Sequence, residues 1–167
     1  MKTKILTLAL LLVSQITFAQ SIDDLRQTLS KVDGVEVVDF PSFIVKMMNS
    51  GMKGKSKIEK QTIIATETNL AEFGKALDVE LQKLVDKGFK FAEQPAPDDN
   101  TMQSYVLGDD KFAYEIVYRM VGKNAVPMII TLKGKIDYEN LKGDLSKMPV
   151  IDANFLKRAE EMVSKMF

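Results

Sequence analysis

A chain of 167 residues with 23 basic and 23 acidic side chains offers no overall attraction to nucleic acid or to an anionic surface. It has neither cysteine nor histidine, which removes Ser-His-Asp hydrolysis, thiol catalysis, Cys- or His-type zinc sites, haem with such ligands and iron–sulfur clusters. Its fold must hold together without disulfides.

The N-terminus has the three zones of a secretory signal. Lys2 and Lys4 give a short positive start, residues 5–13 are an apolar run, and a polar zone comes next with small side chains at Thr17 and Ala19. The apolar run is about half of the ~20 residues that a spanning helix needs. Residues 1–19 are therefore expected to be a signal peptide cleaved after Ala19, leaving Gln20 first. Removing Lys2 and Lys4 leaves 21 basic and 23 acidic side chains, a net charge of −2. No cysteine stands after the cut to carry a lipid, and no later stretch is apolar enough to span a bilayer. The exported chain is expected free in the periplasm or outside the cell.

Residues 21–30 place Ile22, Leu25 and Leu29 on one helical face, with Asp23 and Asp24 at the favourable N-terminal end. Asp33-Gly34 is a turn, and residues 35–40 read as a strand. Pro41-Ser42 opens a short helix in which Phe43, Ile44, Met47 and Met48 fit a buried stripe. Residues 49–57, rich in Gly and Lys, are expected to be an exposed loop. The β-branched run over 62–66 predicts a buried strand. Asn69 with Glu72 has the spacing of a capping box. It opens the longest helix, where Leu70, Phe73, Leu77, Leu81, Leu84 and Val85 keep the three-four spacing up to the Lys87-Gly88 stop.

Strands are then predicted over 89–93, 101–107, 112–121 and 126–133. In the third of these Phe112, Tyr114, Ile116, Tyr118 and Met120 alternate onto one face, and Pro127 must sit at an edge or near a strand start. A short helix is predicted over 137–145 and a linker over 146–151. Asp152 caps a final amphipathic helix whose first residue is Ala153 and whose last is Phe167. The order of elements predicts an α+β domain over 20–145, an antiparallel sheet of five to six strands with helices packed on one face. Phe73, Leu77, Leu81 and Ile116 are its expected core.

Several segments together resemble a family of small exported proteins of Bacteroidota, the domain of unknown function 4252. They are Gly34-Val35-Glu36-Val37-Val38, the Met-rich segment over 43–48, Thr62-Ile63-Ile64, the long helix ending Lys87-Gly88-Phe89, the hairpin strands, and Leu132-Lys133-Gly134-Lys135-Ile136-Asp137. The resemblance runs over residues 21–145. It implies an exported location and an α+β layout, with the last segment turning from strand into helix, and it implies no reaction.

Few reactive patterns survive. Gly51-Met52-Lys53-Gly54-Lys55-Ser56 has two residues between its glycines where a phosphate-binding loop needs four, and a strand where that loop needs a helix. Ser50-Gly51-Met52-Lys53 matches the Ser-x-x-Lys of penicillin-recognising enzymes, but their Ser-Asp-Asn and Lys-Thr-Gly companions are absent. Glu115 and Glu93 could serve a glycoside hydrolase, yet each falls on a strand face expected to be solvated. Met48 with Met52, and Met162 with Met166, have a spacing suited to Cu(I), although core packing accounts for both. Asp98-Asp99-Asn100 and Asp109-Asp110 lack the spacing of a calcium loop. Lys53, Lys55, Lys57 and Lys60 could attract a polyanion, but no aromatic residue interleaves them.

No catalytic, cofactor-binding or metal-ligating residue is assigned. The expected function is a non-enzymatic binding or envelope-associated module. The alternatives are a small carboxylate or Ser/Lys hydrolase and a methionine-type copper binder. The expected partner is not nucleic acid. The final helix carries an apolar stripe of Phe155, Ala159, Met162, Val163 and Met166 and is the candidate for contact with a protein partner or a second copy.

Overall fold

The computed structural model describes residues 21–138, apart from 53, 97, 98, 124 and 126. The signal peptide, all of the helix expected over 137–145 beyond its first two residues, and the linker and final helix over 146–167 lie outside them.

In chain order come α1 (Ser21–Leu29), β1 (Val35–Asp39), α2 (Ser42–Ser50), β2 (Lys57–Thr66) and α3 (Leu70–Asp86). Four strands complete the order: β3 (Lys90–Ala96), β4 (Asn100–Gly108), β5 (Phe112–Val121) and β6 (Met128–Asp137). All six strands join one antiparallel sheet in the order β1-β2-β6-β5-β4-β3. The expected α+β class is the one found.

Both faces of the sheet are apolar. On one, Ile64, Val117 and Ile129 meet Leu25 and Leu29 of α1 and Phe73, Leu77, Leu81 and Leu84 of α3. On the other, Ile63, Ile116, Tyr118, Ile130 and Leu132 join Val45 of α2. Thus α1 and α3 share a face, as expected, while α2 lies on the opposite one. The continuous apolar runs of β2 and β6 are the signature of strands buried on both sides. Phe73, Leu77, Leu81 and Ile116 are all buried, although Ile116 serves the second core.

The strands run longer than the sequence suggests. β2 starts at Lys57 and β6 continues through Asp137, so residue 137 ends a strand and does not open a helix. Gly134 makes this pairing possible. A Cβ there would lie 2.2 Å from the Lys57 carbonyl oxygen and 2.9 Å from Ile58 Cα, beside the register shift between Ile58 and Lys60. The Leu-x-Gly-x-Ile-Asp segment is thus a close strand crossing with a bulge. A second bulge, between Ala113 and Glu115, breaks the predicted alternation of β5. Ala113 joins Ile116 and Tyr118 in the second core, whereas Tyr114 is exposed.

Helix α3 starts where predicted but without the capping box. Asn69 adopts the left-handed conformation (φ 49°) and makes no side-chain cap. Its amide Nδ2 donates instead to the Asp33 carbonyl at 2.9 Å, tying the helix start to the turn before β1. Asn tolerates that conformation better than most residues. Leu70 and Val85, expected in the stripe, are exposed at the helix ends. Pro127 stands just before β6, its carbonyl accepting from the Thr66 N–H at 3.3 Å.

Candidate binding surface

Glu115 does not lie on a solvated face. It is 6% exposed, because its face of β5 lies beneath α1. Its carboxylate accepts the Ile22 backbone N–H at 3.3 Å and sits 3.4 Å from Lys133 Nζ. Lys133 in turn donates to Asp23 at 2.7 Å. Burial pushes the Glu115 carboxyl up, against the lowering effect of Lys133. Burial works to lower the Lys133 ammonium, but the Asp23 hydrogen bond and the Glu115 charge raise it on balance. The three groups pin the start of α1 to β5 and β6, with a carboxylate at the positive end of the helix. Every ionisable group of this network is occupied by structure.

The other acid, Glu93, is exposed on β3 and accepts from Gln103 at 2.7 Å. Gln103 pairs with Arg119 in the next strand. That places Glu93 two strands across and four residues along from Glu115, about 17 Å at ordinary strand spacing. Glycosidase carboxylates stand about 5–9.5 Å apart, so these two do not form such a pair.

The remaining patterns resolve into local structure. Ser50 ends α2 and donates its hydroxyl to the Met47 carbonyl at 2.6 Å; the nucleophile of a Ser-x-x-Lys enzyme opens its helix. Lys53 and Asp98 lie outside the described residues. Ser56 accepts the Asp137 N–H at 2.9 Å, and the next residue begins a strand. Met48 and Met52 pack half-buried against the second core, while Met162 and Met166 lie outside the described residues. Asp109 builds the turn before β5. The Tyr114 hydroxyl and the backbone N–H groups of Phe112 and Lys111 hold its carboxyl at about 2.

A shallow groove beside α1 is lined by Asp23, Asp24, Arg26, Gln27, Ser30 and Val37. Its charges are paired: Arg26 with Asp39 at 2.7 Å, Lys87 with Asp24 at 3.1 Å and Lys133 with Asp23. The outer edge strand β3 carries Lys90, Glu93 and Pro95, residues that blunt strand addition.

Helix α2 is different. Five of its nine residues are apolar (Phe43, Ile44, Val45, Met47 and Met48), and only Val45 is buried. Phe43 is 42% and Met47 68% exposed, one turn apart on the same side. This overturns the buried stripe expected over 43–48. A helix apolar on nearly all sides is normally enclosed; this one is not. Val45 and Met48 take the side turned to the sheet, which leaves Phe43 and Met47 on the side turned away.

The helix is fixed at both ends. Pro41 accepts the N–H groups of Ile44 and Val45 at 3.0 and 3.2 Å. Asn49 Oδ1 accepts the Ile58 N–H, and Asn49 Nδ2 donates to the Ile58 carbonyl, each at 2.7 Å. That clamp holds the end of α2 against the start of β2; Lys55, in the connection between them, is exposed, and so is Lys57 at the first position of β2. Lys46 is exposed on α2 itself. Residues 42–60 contain five lysines and one glutamate. Lys60 is drawn toward Asp39 at 3.7 Å, while Lys46, Lys55 and Lys57 are exposed. Among the described residues no helix is long and apolar enough to cross a membrane.

Known proteins add nothing further. The chain matches no family model, no curated protein and no solved structure.

Proposed function

We propose that this protein is an exported, non-enzymatic module of the cell envelope that docks peripherally on an anionic membrane surface through α2. The observation that carries this reading is the pair Phe43 and Met47, exposed on a clamped apolar helix that also exposes Lys46, with exposed Lys55 in the connection after it. An aromatic and a thioether side chain can enter the headgroup boundary while lysines meet the phosphates. The net charge of −2 left after removal of residues 1–19 is offset locally, because charges are screened beyond about 8–10 Å and the local excess decides. The signal-like N-terminus and the resemblance to an exported family support the location. Amino-terminal sequencing of the exported chain should find Gln20 or its cyclised form, and a start at Met1 would remove that part of the reading.

The surface itself is tested by sedimentation with vesicles of mixed anionic and zwitterionic phospholipid at low salt. Each lysine near such a surface contributes about 1 kcal/mol, or roughly fivefold in partition. Lys46→Glu combined with Lys55→Glu is expected to reduce binding more than tenfold, and Phe43→Ser with Met47→Ser to reduce it comparably while leaving the melting temperature in place. Equal sedimentation of all three proteins would refute the surface.

A further inference from the structure

We infer that the free edge of β1, together with the groove beside α1, is a docking site for an extended basic peptide that joins the sheet antiparallel to β1. This goes beyond the membrane reading and shares no residue with it.

β1 ends the sheet, and one bond fixes the direction in which its backbone groups point. The Phe40 N–H donates to the Gln61 carbonyl at 3.0 Å. The register carries that bonded pairing back two residues at a time, to Val38 with Ile63 and Glu36 with Ala65. In an antiparallel ladder the residues between bonded pairs turn their N–H and C=O the other way. Val37 and Asp39 therefore aim both groups out of the sheet, and neither backbone has a further partner among the described residues. Val35 offers only its carbonyl, since its N–H goes to the Val32 carbonyl at 3.2 Å. The five pairs of β1 run without a bulge, and the strand holds neither Lys nor Pro. The opposite edge, β3, has both, which hinder strand addition there.

Beside this edge lies the groove. Its volume is about 550 Å³, and Arg26, Gln27 and Ser30 of α1 line it together with Val37. The Val37 side chain packs with the first core, which includes Leu25 and Leu29 of α1. A peptide residue opposite Val37 turns its side chain to the same face, into the groove. Charge sets the occupant. α1 and β1 carry Asp23, Asp24, Glu36 and Asp39 against Arg26 alone. Lys133, Lys87 and Arg26 reach Asp23, Asp24 and Asp39, but these three carboxylates stay 41–52% exposed, with lone pairs left for another donor. Glu36 is exposed and has no ion pair among the described residues. A second copy paired through the same edge would bring two more acids and no base on its strand, whereas a lysine-bearing peptide complements it. Antiparallel pairing then sets the sequence, with Lys opposite Asp39, Val opposite Val38, Ile opposite Val37, Lys opposite Glu36 and Val opposite Val35.

The peptide Lys-Val-Ile-Lys-Val, capped at both ends with glycine and labelled with fluorescein, is titrated with the intact chain and followed by anisotropy. Saturable binding is expected. Amide exchange at Val37 and Asp39 should slow roughly tenfold in the complex, while Val38, already bonded to β2, stays unchanged. Methylating the isoleucine nitrogen of the peptide keeps its charge and side chains, removes the donor to the Val37 carbonyl, and should abolish binding. Val37→Pro takes away the outward N–H without touching the ladder to β2 and should weaken binding about tenfold. Glu36→Lys, on an exposed side chain that leaves the fold in place, should weaken it about threefold and favour a peptide with Glu for its second Lys. Absence of binding would overturn the proposal, as would equal binding of the methylated peptide, which would reduce the contact to charge attraction. Protection at β3 in place of β1 would overturn it too. So would a chain that is already dimeric, with Val37 and Asp39 protected before peptide is added, since the edge would then belong to a second copy.

Discussion

Phe73→Ala is expected to lower the unfolding free energy by about 4 kcal/mol, and Leu81→Ala by about 3 kcal/mol, read as shifts in denaturant midpoint at constant slope. Both side chains are almost fully buried, two helical turns apart on the face of α3 that meets α1 and the sheet. Each truncation removes the transfer energy of the lost atoms and leaves a cavity that a packed core closes only in part. Marginal stability makes the loss severe, since domains of this size are stable by only about 5–15 kcal/mol. Val79, exposed on the same helix, is the control, and Val79→Ala should cost less than about 0.5 kcal/mol. A Phe73 variant with an unchanged midpoint would mean that α3 does not carry the core.

The second large effect is electrostatic. Lys133→Met is expected to destabilise by about 2–3 kcal/mol at pH 7.5, because it strands Glu115 in a buried site with one backbone N–H for company. The partial exposure of Lys133 keeps the figure below that of a fully enclosed pair. The pH dependence has a definite sign. Burial has already raised the Glu115 carboxyl, so the folded state holds its proton more tightly than the unfolded chain does. Without Lys133 that tendency grows, and protonation relieves the stranded charge. The loss should therefore be fully expressed above the raised value of the variant, shrink as pH falls through it, and be largely gone by the ordinary glutamate range. In the wild type, the stabilising contribution of the raised Lys133 ammonium is complete below the unfolded lysine value and fades as pH rises through the folded one. Glu115→Gln added to Lys133→Met should restore most of the loss at pH 7.5, since the amide keeps an acceptor for the Ile22 N–H. Additive losses in that double variant would show that the two groups are not coupled.

Where the periodicity is strong, the sequence is readable. The three-four spacing around Phe73, Leu77 and Leu81 locates α3 and its buried face, and the late strands announce an antiparallel sheet. The faces are harder. A strand such as β5 looks half-solvated when Glu115 and Arg119 alternate with Ile116 and Tyr118, but Val117 between those polar residues, with the unbroken Ile-Ile-Thr-Leu of β6, is the sign of burial on both sides. Bulges escape periodicity altogether, since one extra residue at Ala113 or Ile58 moves every later side chain of the strand to the other face.

The candidate surface is hidden for a related reason. Phe43 and Met47 have the spacing of a core stripe, and nothing local distinguishes a helix that docks inward from one that turns its apolar side out. The decision lies in the Asn49 clamp to Ile58 and in the position of β2, both long-range outcomes of the sheet. The lysines are visible in the sequence, but Phe43 is separated from Lys55 by most of a helix.

The chain contains no tryptophan, so Met47→Trp places a single reporter at the centre of the proposed contact, where the native side chain is already mostly exposed. Its emission should begin at a wavelength typical of water, shift to the blue on titration with anionic vesicles, and return as salt is raised, while zwitterionic vesicles leave it nearly unchanged. Emission that stays at the aqueous wavelength throughout the anionic titration would contradict docking through α2.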